Sequence, residues 1–164
     1  MRLLITLIIV LFSAPPLLGN VTSCTGMGHT LIVESSQNRL YVCENGQPVA
    51  SYRVALGRRG AGKMREGDLK TPLGSYPLGQ PRHSDKFHVF IPVGYPTRAQ
   101  KAEGYTGSAI GIHGPPRAWA SSAVTGITAY VNWTDGCIAV GYDEVIEELG
   151  RWVSRHSSAR LHIR

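Results

Sequence analysis

The residues best suited to covalent chemistry are a histidine and a cysteine, His113 and Cys137. His113 ends an apolar alternating run, and Cys137 lies between Gly136 and Ile138. A thiol is a strong nucleophile as its thiolate, and a nearby imidazole is the usual acceptor of its proton. The pair therefore predicts acyl transfer with a cysteine nucleophile and a histidine base. The structural alternative is a small buried cysteine and a hydrogen-bonded histidine without catalysis.

Gly136 is the second informative feature of this segment. Because it has no side chain, a substrate carbonyl can approach the backbone closely at this point. The successive N–H groups of Gly136 and Cys137 can then hold the oxyanion of an acyl-transfer intermediate. We therefore predict an oxyanion-binding role for the Gly136 backbone.

Two ordered motifs carry a resemblance to a known family. One motif is Ile-His-Gly at 112–114 followed by Thr-Asp-Gly-Cys-Ile-Ala at 134–139. The other is the upstream segment Gly-Asp-Leu-Lys-Thr-Pro-Leu-Gly-Ser-Tyr at 67–76. Together they resemble the signatures of the L,D-transpeptidases, the YkuD-like catalytic domain, and the form of the second half of the first motif is similar to a murein transpeptidase subgroup.

The resemblance implies both a fold and a set of roles. The implied fold is mainly β: a single L,D-transpeptidase-like β-sandwich domain with a few short helices and one C-terminal amphipathic helix. Cys137 is implied as the nucleophile and His113 as the general base and acid, with the backbone carbonyl of Gly114 orienting the imidazole. A cysteine nucleophile of this kind needs no metal or other cofactor.

The motif also departs from the commonest family pattern. Many members carry His immediately before the Gly-Cys pair, where this chain has Asp135. Many carry Arg or Asn two positions after the cysteine, where this chain has Ala139. These departures bear on substrate choice and on the acceptor step. We predict substrate contacts from Trp133, Thr134 and Asp135, with a packing role as the alternative for Trp133.

The implied reaction is acyl transfer from peptidoglycan stem peptides. The thiolate attacks the carbonyl between the third residue, a diamino acid, and the D-Ala of a tetrapeptide, and D-Ala leaves. The acceptor is then an amine of a neighbouring stem, a lysine of an envelope protein, or water. Two alternatives are kept: a hydrolase of the same fold that trims stems or releases murein-linked protein, and a murein-binding module without catalysis.

Hydrophobic alternation predicts the strands that must hold these residues. We predict strands at 30–34, 39–44, 49–56, 75–78, 86–91, 108–113 and 160–163. Asn45-Gly46 lies between the second and third, where it predicts a hairpin turn. Pro115 and Pro116 follow His113 closely, and proline has no N–H with which to continue a ladder. His113 is therefore predicted to lie at the end of a strand.

One long amphipathic stretch is predicted as a helix from Asp143 to about Val153, with Asp143 as its N-cap. Its apolar residues fall on one stripe, namely Val145, Leu149, Trp152 and Val153. A shorter helical turn is predicted at 97–103. The connection over 117–130 is interpreted either as a lid over the site or as a short helix.

A glycine-rich basic loop lies over 57–74, immediately before the strand predicted at 75–78. It carries a net positive charge, with Arg58, Arg59, Lys63, Arg65 and Lys70 against Glu66 and Asp68. The loop is interpreted either as a rim that meets substrate carboxylates or as an ordinary solvated loop. His83 and His88 lie further on without an acidic or cysteine companion at zinc spacing, so they are interpreted as structural or surface residues.

The N-terminus is typical of an export signal. Arg2 precedes an apolar run over 3–12 that is too short to span a membrane, and small residues follow before Cys24. We predict a signal peptide at 1–23 and a catalytic domain at 24–164, exported to the periplasm or cell envelope. Cleavage is either ordinary or occurs at a lipobox over 21–24, which leaves a lipid anchor on Cys24.

The state of the three cysteines depends on which of these two cleavages occurs. In an oxidising compartment Cys24 and Cys43 can form a disulfide, which leaves Cys137 as the odd thiol. Lipidation of Cys24 would instead leave Cys43 without a partner.

Length and composition fit one globular domain. The chain has 164 residues, of which 43% are hydrophobic, and its 19 Gly and 10 Pro favour a turn-rich β protein over a helix bundle. Its net charge is +6, and no nucleic-acid-binding motif accompanies it. In an exported protein, the expected partner of this charge is an anionic envelope polymer such as peptidoglycan.

Overall fold

The computed structural model describes residues 24–119 and 126–164. The strands in these ranges are β1 (Thr30–Glu34), β2 (Arg39–Glu44), β3 (Gln47–Ala55), β4 (Gly74–Pro77), β5 (Arg82–Ser84), β6 (His88–Pro92), β7 (Gly111–His113), β8 (Ile138–Val140) and β9 (Arg160–Ile163). The helices are α1 (Arg98–Ala102) and α2 (Asp143–Arg155), with short 3-10 turns at Ser35–Gln37 and Gly126–Tyr130. The predicted mainly β fold with one substantial C-terminal helix is confirmed.

Two predictions concern parts of the chain outside this description. The signal peptide predicted at 1–23 lies wholly outside the described residues. So does the segment 120–125, in the middle of the connection interpreted either as a lid or as a short helix. None of the helices in the described ranges is long and apolar enough to cross a membrane.

The nine strands form one sheet in the order β4-β9-β1-β2-β3-β8-β7-β6-β5. β3 joins the two halves, because its residues 47–53 pair with β2 whereas Val54 and Ala55 pair with β8. Buried side chains from both halves belong to a single hydrophobic core, among them Leu31, Leu40, Ile112 and Ile138. The sheet therefore curls so that its halves share one core, as expected of the predicted β-sandwich.

The β2–β3 hairpin turns at Asn45-Gly46, as predicted. The two residues have φ of 49° and 81°, conformations that Asn and Gly tolerate best. β1 pairs antiparallel with β2 on one side and parallel with β9 on the other. The last strand of the sequence thus lies beside the first, a pairing that local sequence patterns cannot indicate.

The two predicted catalytic residues belong to neighbouring parallel strands or their ends: His113 ends β7, and Cys137 lies just before β8. In the β7–β8 pair, Ile112 lies opposite Ile138 and His113 lies opposite Ala139. Cys137 immediately precedes β8, and continuing the register places it beside Gly111. Alternate residues of a strand point to the same face, so positions 111, 113 and 137 share one face of the sheet. The fold therefore brings together two residues that are distant in sequence.

Helix α2 packs on the sheet through one apolar face, as its sequence predicts. The residues of that face are buried in the main core, namely Ile146, Leu149, Trp152 and Val153. Val145, which was predicted on the buried stripe, is only half-buried, and its neighbour Ile146 is fully buried instead. The stripe is thus rotated by one residue at its N-terminal end.

The prediction of Asp143 as the N-cap of α2 is wrong. Tyr142 occupies the cap position with an extended backbone and makes no side-chain capping hydrogen bond. Asp143 is the first helical residue, and its carboxylate accepts a hydrogen bond from Arg117 in the segment that follows β7. The residue therefore ties the helix to the chain beyond His113.

Cys24 and Cys43 form a disulfide, and Cys137 is the free cysteine of the described residues. Both disulfide residues are buried beside Ile32 and Tyr41 in a small second core. The alternative of a lipid anchor on Cys24 is incompatible with this arrangement, because the thioether to a lipid would need the same Sγ atom.

We expect removal of this disulfide to destabilise the fold without touching the cleft. The bond closes a separation of 19 residues, for which loss of the cross-link costs roughly 3 kcal/mol. Urea unfolding of a Cys24→Ala/Cys43→Ala variant measures this cost. A reductant should weaken the unmodified protein to a similar extent and leave the double variant unchanged. Equal stability of the two proteins would show that the bond contributes nothing.

Candidate active site

The predicted catalytic residues line one open cleft of about 610 Å³. His113 and Cys137 both face it, together with Thr134 and Asp135. Its other walls include three aromatic and two basic side chains, namely Phe87, Trp119, Trp133, Arg58 and Lys86. The cleft therefore combines the end of β7, the loop before β8, and the segment that links β5 to β6.

The imidazole of His113 is held in one orientation by its own backbone neighbour. Its Nδ1 lies 2.7 Å from the carbonyl oxygen of Gly114. Because a carbonyl oxygen can only accept, Nδ1 must carry the hydrogen of the neutral ring. Nε2 is then the unprotonated nitrogen, with a lone pair available to take a proton. This is the contact that the family resemblance implies for Gly114.

Aromatic rings enclose the imidazole on two sides. Phe87 stacks on His113 with ring centroids 3.7 Å apart, and Trp133 meets it edge-on at 5.6 Å. The histidine is only 1% exposed. Sequence reasoning missed Phe87, because its position over His113 depends on the non-local pairing of β6 with β7. The partly alternating apolar run over 86–91 was its sequence signal.

Burial keeps the imidazole neutral. Desolvation is the main cause that lowers the pKa of His113, to about 4. The hydrogen bond to Gly114 opposes this effect, and the positive charge of Lys86 adds to it. Near neutral pH His113 is therefore a base that can accept a proton.

The thiol of Cys137 is half-buried and protonated at rest. Desolvation raises its pKa above the ordinary value, although the backbone of Gly111 favours the thiolate through a hydrogen bond. The Sγ–H donates to the carbonyl of Ala109 at 3.5 Å. The resting site thus pairs a neutral thiol with a neutral imidazole, so the proton must move to the base as the sulfur attacks.

Thr134 shapes the loop that carries the thiol. Its side chain is 3% exposed although it lines the cleft, and the substrate contact predicted for it stays a prediction. Its Oγ donates to the carbonyl of Cys137 at 2.7 Å and accepts from the N–H of Gly136 at 3.1 Å. The Gly136 N–H predicted to bind an oxyanion is therefore already hydrogen-bonded.

A sequence model described as the L,D-transpeptidase catalytic domain, YkuD, matches residues 28–160. The chain belongs to this family. The matched range includes both motifs and the whole of the cleft described above. The resemblance seen in the motifs is thus confirmed at the level of the family.

Among curated proteins, the chain is similar to YafK of Escherichia coli K12, whose name assigns it provisionally to the L,D-transpeptidases. The two are 30% identical over 107 residues, covering 62% of this chain and 44% of YafK. This chain therefore spans less than half the length of that relative.

Solved structures show the same fold. The helical cell shape determining protein Pgp2 from Campylobacter jejuni matches with a TM-score of 0.66 at 24% identity, over 84% of this chain and 47% of Pgp2. Bd1075 of Bdellovibrio bacteriovorus gives 0.60 at 25% identity, over 83% and 47%. An L,D-transpeptidase from Mycobacterium tuberculosis H37Rv gives 0.51 at 14% identity, over 84% and 57%. The fold of this chain is thus that of the L,D-transpeptidases.

Asp135, the residue that replaces the commoner family histidine, is exposed and forms an ion pair with Arg58 across the mouth of the cleft. Trp133 lines the cleft while its Nε1–H donates to the carbonyl of Thr128 at 3.0 Å. Both residues thus face the space where a substrate contact was predicted. Trp133 also has a structural hydrogen bond, and the substrate contact predicted for it stays a prediction.

The basic loop over 57–74 is less available to a substrate than its sequence suggests. Lys63 is 4% exposed, and its Nζ donates to Asp68 at 2.9 Å. Although burial would raise the pKa of Asp68, hydrogen bonds from the Arg65, Met64 and Lys70 backbone and from Lys63 lower it well below its usual range. Lys63 and Asp68 therefore hold the loop together, and the rim interpretation is wrong for Lys63.

The two histidines considered as metal ligands lie outside the cleft. His88 is hydrogen-bonded to Glu147 of α2 at 2.7 Å, and His83 to Asp85 at 3.0 Å. Across 24–119 and 126–164, no three His, Cys, Asp or Glu side chains are grouped to hold a metal. The contact of His88 instead fixes the start of β6 against α2, next to Phe87.

We expect Gly136→Ala to impair the site while the protein stays folded. Gly136 has φ of 134°, and a Cβ there would lie 2.6 Å from the carbonyl oxygen of Lys70. The loop would have to shift and carry the thiol with it, and a misplacement of about 1 Å costs roughly 10²-fold in rate. Gly104→Ala is the matched control, because its φ is 86° and its added Cβ meets nothing within 4 Å. Similar rates of stem acyl transfer for both variants would contradict the crowding argument.

Proposed function

We propose that this chain is a peptidoglycan L,D-transpeptidase that transfers the acyl group of a tetrapeptide stem through Cys137. The observation that carries the proposal is the joint placement of His113 and Cys137 in one cleft, at the end of β7 and just before its parallel neighbour β8. The fixed tautomer of His113 supports it, because Nε2 is left as a base. Membership of the YkuD family supports the reaction class.

The first half-reaction forms a thioester. Sγ of Cys137 attacks the carbonyl carbon that joins the third residue of the stem to D-Ala, as Nε2 of His113 takes the thiol proton. The N–H of Cys137 is the donor that we assign to the oxyanion, because the N–H of Gly136 is bonded to Thr134. The C–N bond then breaks, and His113 returns the proton to the amine of the departing D-Ala.

The second half-reaction releases the acyl group. His113 takes a proton from an acceptor amine, which attacks the thioester carbonyl and frees the Cys137 thiol. An amine on a neighbouring stem yields a crosslink, and the lysine of an envelope protein yields an anchored protein. Water in the same position yields a trimmed stem, which is the hydrolase alternative.

We place this reaction in the bacterial cell envelope. The Cys24–Cys43 disulfide supports an oxidising compartment outside the cytoplasm. The net charge of +6 suits a polymer rich in carboxylates. The likeness of the fold to Pgp2, a determinant of helical cell shape by its name, makes wall remodelling that affects cell shape the cellular role we propose.

The test is incubation of the purified protein with a tetrapeptide stem, with and without an acceptor amine, followed by mass analysis. A transpeptidase yields the crosslinked product and free D-Ala when the amine is present. Tripeptide and D-Ala alone, even at high amine concentration, would identify the hydrolase instead. Binding without any product would identify a murein-binding module and overturn the proposal.

A further inference from the structure

Lys86 occupies a position at the mouth of the cleft that no motif marks. It lies in the segment between β5 and β6, where its carbonyl accepts a hydrogen bond from the N–H of Arg117 at 2.8 Å. Its side chain is exposed and lines the cleft together with His113 and Cys137. The backbone is thus fixed, while the ammonium can reach into the space where a substrate would lie.

A stack of rings connects Lys86 to the base. Its Nζ lies 5.1 Å from the centroid of the Phe87 ring, and that ring stacks on the imidazole of His113 at 3.7 Å. The ammonium cannot be further from the imidazole centroid than the sum of these two distances. Burial is the main influence on the pKa of both His113 and Cys137, and the Lys86 charge lowers both values as a smaller contribution. Its field therefore reaches the reacting groups.

The charges of the cleft leave Lys86 as its unbalanced cation. Arg58 and Asp135, the other charged residues of the lining, pair with each other. No carboxylate in the described ranges lies within ion-pair distance of Lys86, and the segment 120–125 contains no Asp or Glu. A positive charge without a protein counterion suits a negatively charged part of the substrate.

We propose that Lys86 binds the free carboxylate of the residue that leaves when Cys137 is acylated. This inference rests on the proposed function, because it assumes a peptide stem with its scissile carbonyl at Cys137. In a stem that ends one residue beyond the scissile bond, the C-terminal carboxylate follows the reacting carbonyl by a single residue, about 3.8 Å of chain. A cation near the reacting groups is therefore within reach of it, and the ammonium can donate up to three hydrogen bonds.

Specificity for the end of the stem follows from this contact. A donor peptide with a single residue after the scissile bond presents its carboxylate to Lys86. A donor whose C-terminus is amidated lacks that charge, so it leaves Lys86 without a partner. Lys86 is thus a specificity-determining residue rather than part of the proton-transfer machinery.

The test measures binding of two stems that differ only at the C-terminus, a tetrapeptide acid and its amide, to protein carrying Cys137→Ala. We expect Lys86→Met in this background to weaken binding of the acid by about 10- to 100-fold, the usual range for a hydrogen bond to a charged group. Binding of the amide should change by less than about threefold, and Lys86→Arg should restore most of the preference. Lys101→Met, on the exposed face of α1, is the matched control and should leave both affinities unchanged.

An equal loss for acid and amide, or no binding of either stem, would overturn the assignment of Lys86. Alkylation of Cys137 by iodoacetamide provides a second readout in protein with the thiol intact. If Lys86→Met slowed alkylation as much as it slowed acyl transfer, Lys86 would act on the thiol and the proposal would be wrong. Because binding is measured without turnover, failure of the transferase assay would count against the proposed function, whereas an equal loss for acid and amide would count against Lys86 alone, so the two failures are distinguishable.

Discussion

Replacement of Cys137 by alanine is expected to abolish acyl transfer from the stem. The sulfur is the only free thiol of the described residues, and the mechanism has no other group that can form the covalent intermediate. The rate should fall by roughly 10⁴-fold or more, as it does when the nucleophile of a covalent mechanism is removed. Release of D-Ala from a tetrapeptide stem, followed by mass spectrometry, measures the loss.

The same variant should keep its fold and its affinity for the stem. Cys137 is half-buried just before the start of β8, so losing its Sγ removes little packing. Unchanged circular dichroism and stem binding, with no turnover, would separate loss of chemistry from loss of structure. Full activity of Cys137→Ala would defeat the assignment of the nucleophile.

Replacement of His113 by alanine is expected to lower the transfer rate by roughly 10²- to 10⁴-fold, the usual contribution of a positioned general base. The substitution also removes a ring that packs against Phe87, so His113→Gln, which keeps more of the side-chain volume, is the better-folded companion variant. Both should bind the stem but turn it over slowly. A negligible loss would move the role of base elsewhere, with Asp135 the next residue to test.

The pH profile of the unmodified protein checks the same role. The base must be neutral to accept a proton, and burial lowers the pKa of His113 to about 4. We therefore expect kcat/KM to hold from neutral pH downwards and to fall only as the pH drops through about 4, where the imidazole becomes protonated. An acid limb near 6.5, the ordinary value for histidine, would show that the ring is not desolvated as the structure indicates.

The sequence predicted local features well because each depends on residues close together in the chain. The Asn45-Gly46 turn and the C-terminal strand at 160–163 are cases in point, since turn chemistry and alternation are local properties. Helix α2 was predicted within two residues at its C-terminal end. Its cap was predicted wrongly, because the Asp143 carboxylate has a tertiary partner in Arg117 that competes with capping.

The sequence identified the reacting residues of the candidate site but not how their neighbours are arranged around them. Motifs identified His113 and Cys137, whereas the ring of Phe87 reaches His113 only through the pairing of β6 with β7. The Thr134 hydroxyl accepts a hydrogen bond from the Gly136 N–H, a three-dimensional detail that occupies the N–H predicted to bind an oxyanion. In the sequence, Lys86 was interpreted only as the start of a strand. Whether a lysine binds a substrate depends on the charged groups around it in space, which the sequence does not show.

The most direct measurement of the central claim is the intact mass of the protein after brief exposure to a tetrapeptide stem, with peptide mapping of any adduct. The proposed mechanism predicts a covalent adduct equal to the stem without its D-Ala, attached to Cys137 and absent from Cys137→Ala. A carbapenem, an acylating inhibitor to which the family resemblance points, should modify the same residue. An adduct on another residue, or stem turnover with the Cys137 thiol chemically blocked, would contradict the account.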